Sequence, residues 1–134
     1  MKSFVKVFVL LIAVISVNVS AYSQESSWKA LSSKVVTLYQ QGKFADAINI
    51  AKEALSVAKN TFGKDSPYTA TSMNNLAELY KSVGKYADAE SLYKQALSAK
   101  EKTLGKDNPT MIPTLNNLAE LYCKQNKYAD AEPL

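Results

Sequence analysis

A chain of 134 residues, 47% apolar, can bury one modest core, and its formal charge of +4 is carried entirely by lysine. Arginine and histidine are both absent. The first absence removes the usual bidentate readers of phosphate and bases, and the second removes His-based nucleophiles, His-ligated zinc and His proton shuttles.

The lysines are interspersed with acids, and two of them, Lys2 and Lys6, precede the rest of the chain, so nucleic-acid binding is not expected. Those two open a leader. The apolar run at 7–17 (VFVLLIAVISV) follows, and then small residues at Val19-Ser20-Ala21 or Ala21-Tyr22-Ser23. This order of charge, short apolar run and small residues reads as a signal peptide over 1–23. An uncleaved membrane anchor is the alternative, but the run is shorter than the ~20 apolar residues of a bilayer span. No cysteine lies near the cleavage site to take a lipid. The mature protein is therefore expected to be exported, to a periplasmic or extracellular place, with no membrane association of its own.

From residue 24 onward the chain repeats itself. "NNLAELY" occupies positions 74–80 and returns at 116–122, and "KYADAE" occupies 85–90 and returns at 127–132. Gly42, Gly63, Gly84 and Gly105 lie 21 residues apart and alternate between "GK[FY]ADA" and "GKD[SN]P" contexts. Two kinds of turn at half a 42-residue period mean two helices per unit.

The helices are predicted over about 27–41, 44–61, 67–83, 86–104, 109–125 and from Tyr128 onward. Met73, Leu76, Ala77 and Tyr80 recur at i, i+3, i+4, i+7, as do Leu115, Leu118, Ala119 and Tyr122. Tyr86, Ala89, Leu92, Tyr93, Ala96 and Leu97 share one face of the helix between them. Tyr80, Tyr86, Tyr93, Tyr122 and Tyr128 read as a core ladder rather than a ligand box.

The helix ends have their own chemistry. Ser66-Pro67 and Asn108-Pro109 read as an N-cap followed by a first-turn proline. Gly63 and Gly105 suit the left-handed residue after a helix, and Gly42, Gly84 and Asn126 suit the turn inside each pair. Asp46, Asp88 and Asp130 fall in the first turns of second helices, where a carboxylate meets the positive end of the macrodipole.

These residues carry a resemblance. Met73, Leu76-Ala77, Tyr80, Gly84, Tyr86, Ala89, Tyr93 and Ala96-Leu97 resemble the tetratricopeptide repeat. The 42-residue period, with "LNNLAELY", "KYADAE" and "EKTLGKDNP", is similar to the repeats of kinesin light chains and their bacterial relatives. The resemblance implies an all-α, right-handed α-solenoid of antiparallel helix pairs over 24–134, with units at about 28–69, 70–111 and a partial 112–134. The first unit departs most: Lys34 stands where Leu76 does, Leu38 for Tyr80 and Ala51 for Tyr93. A polar substitution there fits an end unit, with Trp28 as an edge cover or a core anchor. The chain stops roughly two turns into a sixth helix, below the ~12–15 residues of a marginal isolated helix, so a piece of a longer array is expected.

In such arrays the first helices line a concave groove that holds a peptide or protein partner. That implies an inward face of Ser32, Val36 and Tyr39, then Thr71, Asn74, Glu78 and Lys81, then Pro113, Asn116, Glu120 and Cys123. The candidate peptide-contacting residues are Asn74, Asn75, Glu78, Lys81, Asn116, Asn117 and Glu120. A side-chain amide can both donate to and accept from a peptide backbone; the competing role for one asparagine of each pair is to fix packing between units. Glu78 and Glu120, a unit apart, are expected on exposed faces. Cys123 is read as a small helix residue, with a bond between chains as the alternative. No catalytic constellation, cofactor loop or metal-ligand spacing is present, so the chain is read as an interaction module and not an enzyme. The alternative is the regulatory or targeting part of a longer enzyme or sensor.

Overall fold

In the computed structural model, residues 2–126 and 133 are described; the second "KYADAE", Tyr128, Asp130 and the expected sixth helix lie outside them. Five α-helices follow one another: α1 (Lys2–Gln40), α2 (Phe44–Phe62), α3 (Pro67–Ser82), α4 (Tyr86–Leu104) and α5 (Ile112–Lys124). Each packs on its neighbours in sequence, and the first helices α1, α3 and α5 also touch in turn. This is the all-α solenoid arrangement of paired helices expected from the repeat.

The helix α1 begins far earlier than residue 27. No glycine or proline interrupts the chain between residue 2 and Gln41, and Glu25 and Lys29 pair at 2.7 Å across one turn, so nothing breaks the helix where the leader meets the first unit. In its N-terminal part Val9, Ile12, Ile15 and Val19 are exposed. Among the described residues no helix is long and apolar enough to cross a membrane. The packed body starts at Trp28. Its indole is buried against Tyr68 and Phe62, edge to face, and Nε1 donates to Ser72 Oγ at 2.8 Å. Of the two roles left open, core anchor is the one observed.

The capping residues act as their chemistry suggests. Ser66 Oγ accepts from Thr69 N at 3.1 Å, and Asn108 Oδ1 accepts from Thr110 N at 3.0 Å. Gly42 and Gly84 have positive φ, and Asn126 follows at +58°. The two turns inside the pairs close identically, with Lys43 N donating to Leu38 O and Lys85 N to Tyr80 O. Gly63 differs from the left-handed geometry expected, for its φ of 90° is joined to ψ of 161°. That extended ψ aims its carbonyl at the next helix, where Thr69 Oγ1 donates to it at 2.6 Å. A Cβ at Gly63 would meet nothing within 4 Å, so Gly63→Ala isolates the backbone term. It is expected to cost about 1–3 kcal/mol in urea denaturation despite the free space, because only glycine occupies that region without strain.

The fifth helix also starts differently from the reading of a helix from Pro109. Pro109–Met111 form a 3-10 turn, in which Ile112 N donates to Pro109 O, and the α-helix begins only at Ile112. Pro113 is the cause. It has no N–H to close the α-helical bond to Pro109, whereas the matching Thr71 can even add a side-chain bond to Pro67 O. Lys100 steadies the turn from α4, donating to Thr110 O at 2.8 Å and Thr114 Oγ1 at 3.1 Å. Burial pushes its ammonium pKa down.

The core runs along the stack in three linked clusters. Trp28 with Ala54 and Ala58 forms one end; Val35, Ala51, Leu55, Met73, Leu76 and Leu79 fill the middle; Tyr93, Leu118, Leu121 and Tyr122 fill the other end. Alanines at the crossings (Ala47, Ala51, Ala77, Ala89, Ala96) let the backbones approach, and tyrosine or leucine from the facing helix fills the remaining space. Tyr93 and Tyr122 are buried and Tyr80 and Tyr86 partly so, which makes these four core residues.

Candidate functional site

The inward face implied for the first helices is a set of residues in register, one period apart. Ser32, Asn74 and Asn116 form one column, Val36, Glu78 and Glu120 a second, and Tyr39, Lys81 and Cys123 a third. Exposure changes along each column. Val36 is 51% and Tyr39 39% exposed, so the α1 end of the face is apolar and open. Asn74, Asn75 and Asn117 are half-buried, while Asn116 and Cys123 are exposed. Ser32 Oγ and Asn74 Oδ1 are buried without a hydrogen-bond partner. These two atoms are shielded, so the accessible part of this column is the rest of the half-buried Asn74 and the exposed Asn116.

The two glutamates expected apart on solvated faces are instead joined. Lys81 Nζ lies 2.9 Å from Glu120 Oε2 on α5 and 3.1 Å from Glu78 Oε2 on its own helix. The correction extends to Lys81 itself, whose side chain is only 5% exposed and is committed to these two carboxylates rather than open to a ligand. The stacking of α5 on α3 brings the next unit's glutamate down one turn, which makes 39 residues of sequence a direct contact. From the far side of the stack, Tyr93 of α4 donates its hydroxyl to the same Glu78 Oε2 at 2.7 Å. Lys124 flanks Glu120 at 3.6 Å.

The electrostatics follow from this chain of contacts. Burial alone would lower the Lys81 pKa, but the hydrogen bonds to Glu120 and Glu78 outweigh it and the net direction is up. The hydrogen bond from Lys81 holds the Glu120 carboxyl below its usual range. Burial first, and then the Glu78 carboxylate, raise the Tyr93 phenol. At neutral pH the cluster is thus an ammonium between two carboxylates, with a neutral phenol behind it. Sequence reasoning missed this arrangement, although the Glu78–Lys81 spacing of i, i+3 was one legible half of it.

Asp46 and Asp88 sit in the first turns of α2 and α4, as helix-end charges. Among the described residues no group of three His, Cys, Asp or Glu side chains could hold a metal ion. What the face can do chemically is offer side-chain amides beside an apolar end.

Comparison with known proteins bears on the same residues. The family model of the tetratricopeptide repeat matches residues 29–102 and 84–134. No curated protein matches the chain. Among solved structures it is similar to BtubC (BKLC) from P. vanneervenii, at 25% identity and a TM-score of 0.73, over 78% of this chain and 41% of that one. It is also similar to a putative kinesin light chain with nearly identical TPR-like repeats from Podosopora anserina, at 19% identity and a TM-score of 0.69, over 78% of this chain and 49% of that one. The chain thus spans less than half the length of either of these structures.

Proposed function

Because the chain belongs to the tetratricopeptide repeat family, a family of protein–protein interaction modules, we propose that it holds a peptide or protein segment along the inner face of α1, α3 and α5. The observation that carries this reading is the register of Ser32, Asn74 and Asn116 on successive first helices, with Asn74 half-buried and Asn116 exposed at the surface of the face. A peptide backbone laid across three first helices supplies donors and acceptors at intervals that such a column can meet. Val36 and Tyr39 offer an apolar seat at one end of the same track, and the exposed Glu120 an acceptor at the other. Lys81 lies beneath this track and fixes the spacing of α3 and α5 instead of meeting the partner.

The test is a double variant, Asn74→Ala with Asn116→Ala, in capture of a partner by the full chain. Loss of two hydrogen bonds of roughly 0.5–1.5 kcal/mol each is expected to weaken binding about 5- to 150-fold with the far-ultraviolet circular dichroism unchanged. Unaltered affinity in a folded double variant removes the assignment of this face. Export belongs to the same proposal, supported by Lys2, Lys6 and the apolar run at 7–17. Sequencing the N-terminus of the protein from its native cells would place the first mature residue after 21 or 23 if the leader is removed.

A further inference from the structure

The opposite side of the stack, where the second helices lie, has a cavity that the inner face does not account for. It measures about 270 Å³ and opens between α2, the turn that follows it and α4. Lys59, Lys64 and Lys102 line it, together with Asp65, Gln95 and Ser98. Three lysines and one aspartate therefore line the same space, and Asp65 lies 3.7 Å from Lys102. Lys59 and Lys64 have no ion-pair partner among the described residues.

The following unit contains its own control. One period on, Glu101 replaces Lys59 and Lys106 replaces Lys64, and these two pair at 3.6 Å. In the second copy these two positions are thus neutral as a pair. The first copy exchanges that acid for a lysine, so its cavity holds three lysines against the single carboxylate of Asp65. Lys59 gains something from the carbonyl end of α2, in whose last turn it lies, but that contribution is small and does nothing for Lys64. A water takes about 30 Å³ of liquid, so the cavity has room for several waters or for one multi-oxygen anion.

We propose that this cavity binds a tetrahedral oxyanion, a phosphate monoester or free phosphate. Lys59, Lys64 and Lys102 supply the charge and the Ser98 hydroxyl a hydrogen bond. Lysine suits the task as a point charge on a flexible stem that can close on an anion from several directions. The proposal is independent of the inner-face reading, since it uses the other side of the stack and none of the same residues.

Isothermal titration of the full chain with inorganic phosphate, and separately with O-phosphoserine, tests it at low ionic strength. Saturable binding is expected. Lys59→Glu, which copies the following unit, should weaken it tenfold or more, and Lys64→Ala severalfold. Lys52→Glu, the same charge change elsewhere on α2, should bind as the wild type does. Tighter binding of phosphoserine assigns the anion to a phosphorylated side chain, and equal or tighter binding of inorganic phosphate assigns it to the free ion. The proposal is overturned by the lack of saturable binding up to roughly 10 mM of either anion. It is equally overturned if Lys52→Glu weakens binding as much as Lys59→Glu, which would make the attraction diffuse charge rather than a site.

Discussion

Replacing Tyr93 by alanine is expected to destabilise the protein by about 3–5 kcal/mol, the range for deleting a large buried ring. Tyr93 is fully buried and is the largest such side chain among the described residues. Its ring lies where α4 meets α3 and α5, against Ala77, Ala89, Leu118, Leu121 and Tyr122, so its loss opens a cavity between the second unit and the third. Ala77 and Ala89 cannot grow to fill it, and backbones already close at alanine crossings have little room to collapse. In a stack where each unit contacts only its neighbours, such damage is local: α5 should loosen first, giving a broader denaturation transition with a smaller m-value. Tyr93→Phe separates ring from hydroxyl. It keeps the packing and removes only the bond to Glu78, and since that carboxylate retains Lys81, the expected cost is about 1 kcal/mol. Urea denaturation followed by circular dichroism distinguishes the two. A cost below about 1 kcal/mol for Tyr93→Ala would mean that α4 and α5 do not share this core.

How much of this was legible in the chain depends on whether the physics is local. The turns were readable because glycine spacing, N-caps and the asparagine at 126 each act through their own few residues; Asn126 takes the positive φ that its glycine counterparts take. The helix pairs were readable because one stripe at i, i+3, i+4, i+7 marks burial. That stripe was too narrow, however. Leu79 and Leu121 are almost fully buried though they lie off it, because a helix within a stack is covered from two sides by preceding and following helices. The start of α1 was missed because cleavage signals and helix breakers are different things, and the stretch after the leader contains no breaker. The start of α5 was missed because two prolines four residues apart compete for the first turn. The bridge from Lys81 to Glu120 was hidden for the opposite reason to the turns: its partners are 39 residues apart, and only the stacking offset brings them together. The asparagine column was visible as a register, but that Asn74 is half-buried while Asn116 is exposed is a fact of packing and not of spacing.

Lys81→Ala is expected to cost about 2–3 kcal/mol, below the 3–5 kcal/mol of a fully buried pair because Glu120 remains half exposed to water. The loss comes chiefly from what is left behind. Glu78 keeps only the Tyr93 hydroxyl, and two like charges face each other across the α3–α5 seam with nothing between them. Lys81→Met retains most of the packed volume and so isolates the charge. If the carboxylates are the cause, adding Glu120→Gln to Lys81→Met should return part of the lost stability, although Glu120→Gln alone is expected to be destabilising; additive effects in that cycle would show that the three groups are not coupled. The pH dependence has a definite sign at both ends. The Glu120 carboxyl is held below its ordinary value of 4.5, so its contribution is present above that pH and is lost as the pH falls through the lower folded-state value. Lys81 and Tyr93 are both raised, from 10.5 and 10.0, so their contributions are complete below about pH 10 and are lost as the pH rises through the folded-state values. Stability should therefore be level between about pH 5 and 10 and fall on either side, and Lys81→Met should flatten the acid limb. An acid limb unchanged in that variant would place the titrating carboxylate elsewhere. Because Glu120 belongs both to the bridge and to the proposed inner track, the same titration should move partner affinity directly as well as through the spacing of α3 and α5. Lys81→Met, which loses the bridge but keeps Asn74, Asn116 and Glu120, is then expected to bind the partner more weakly.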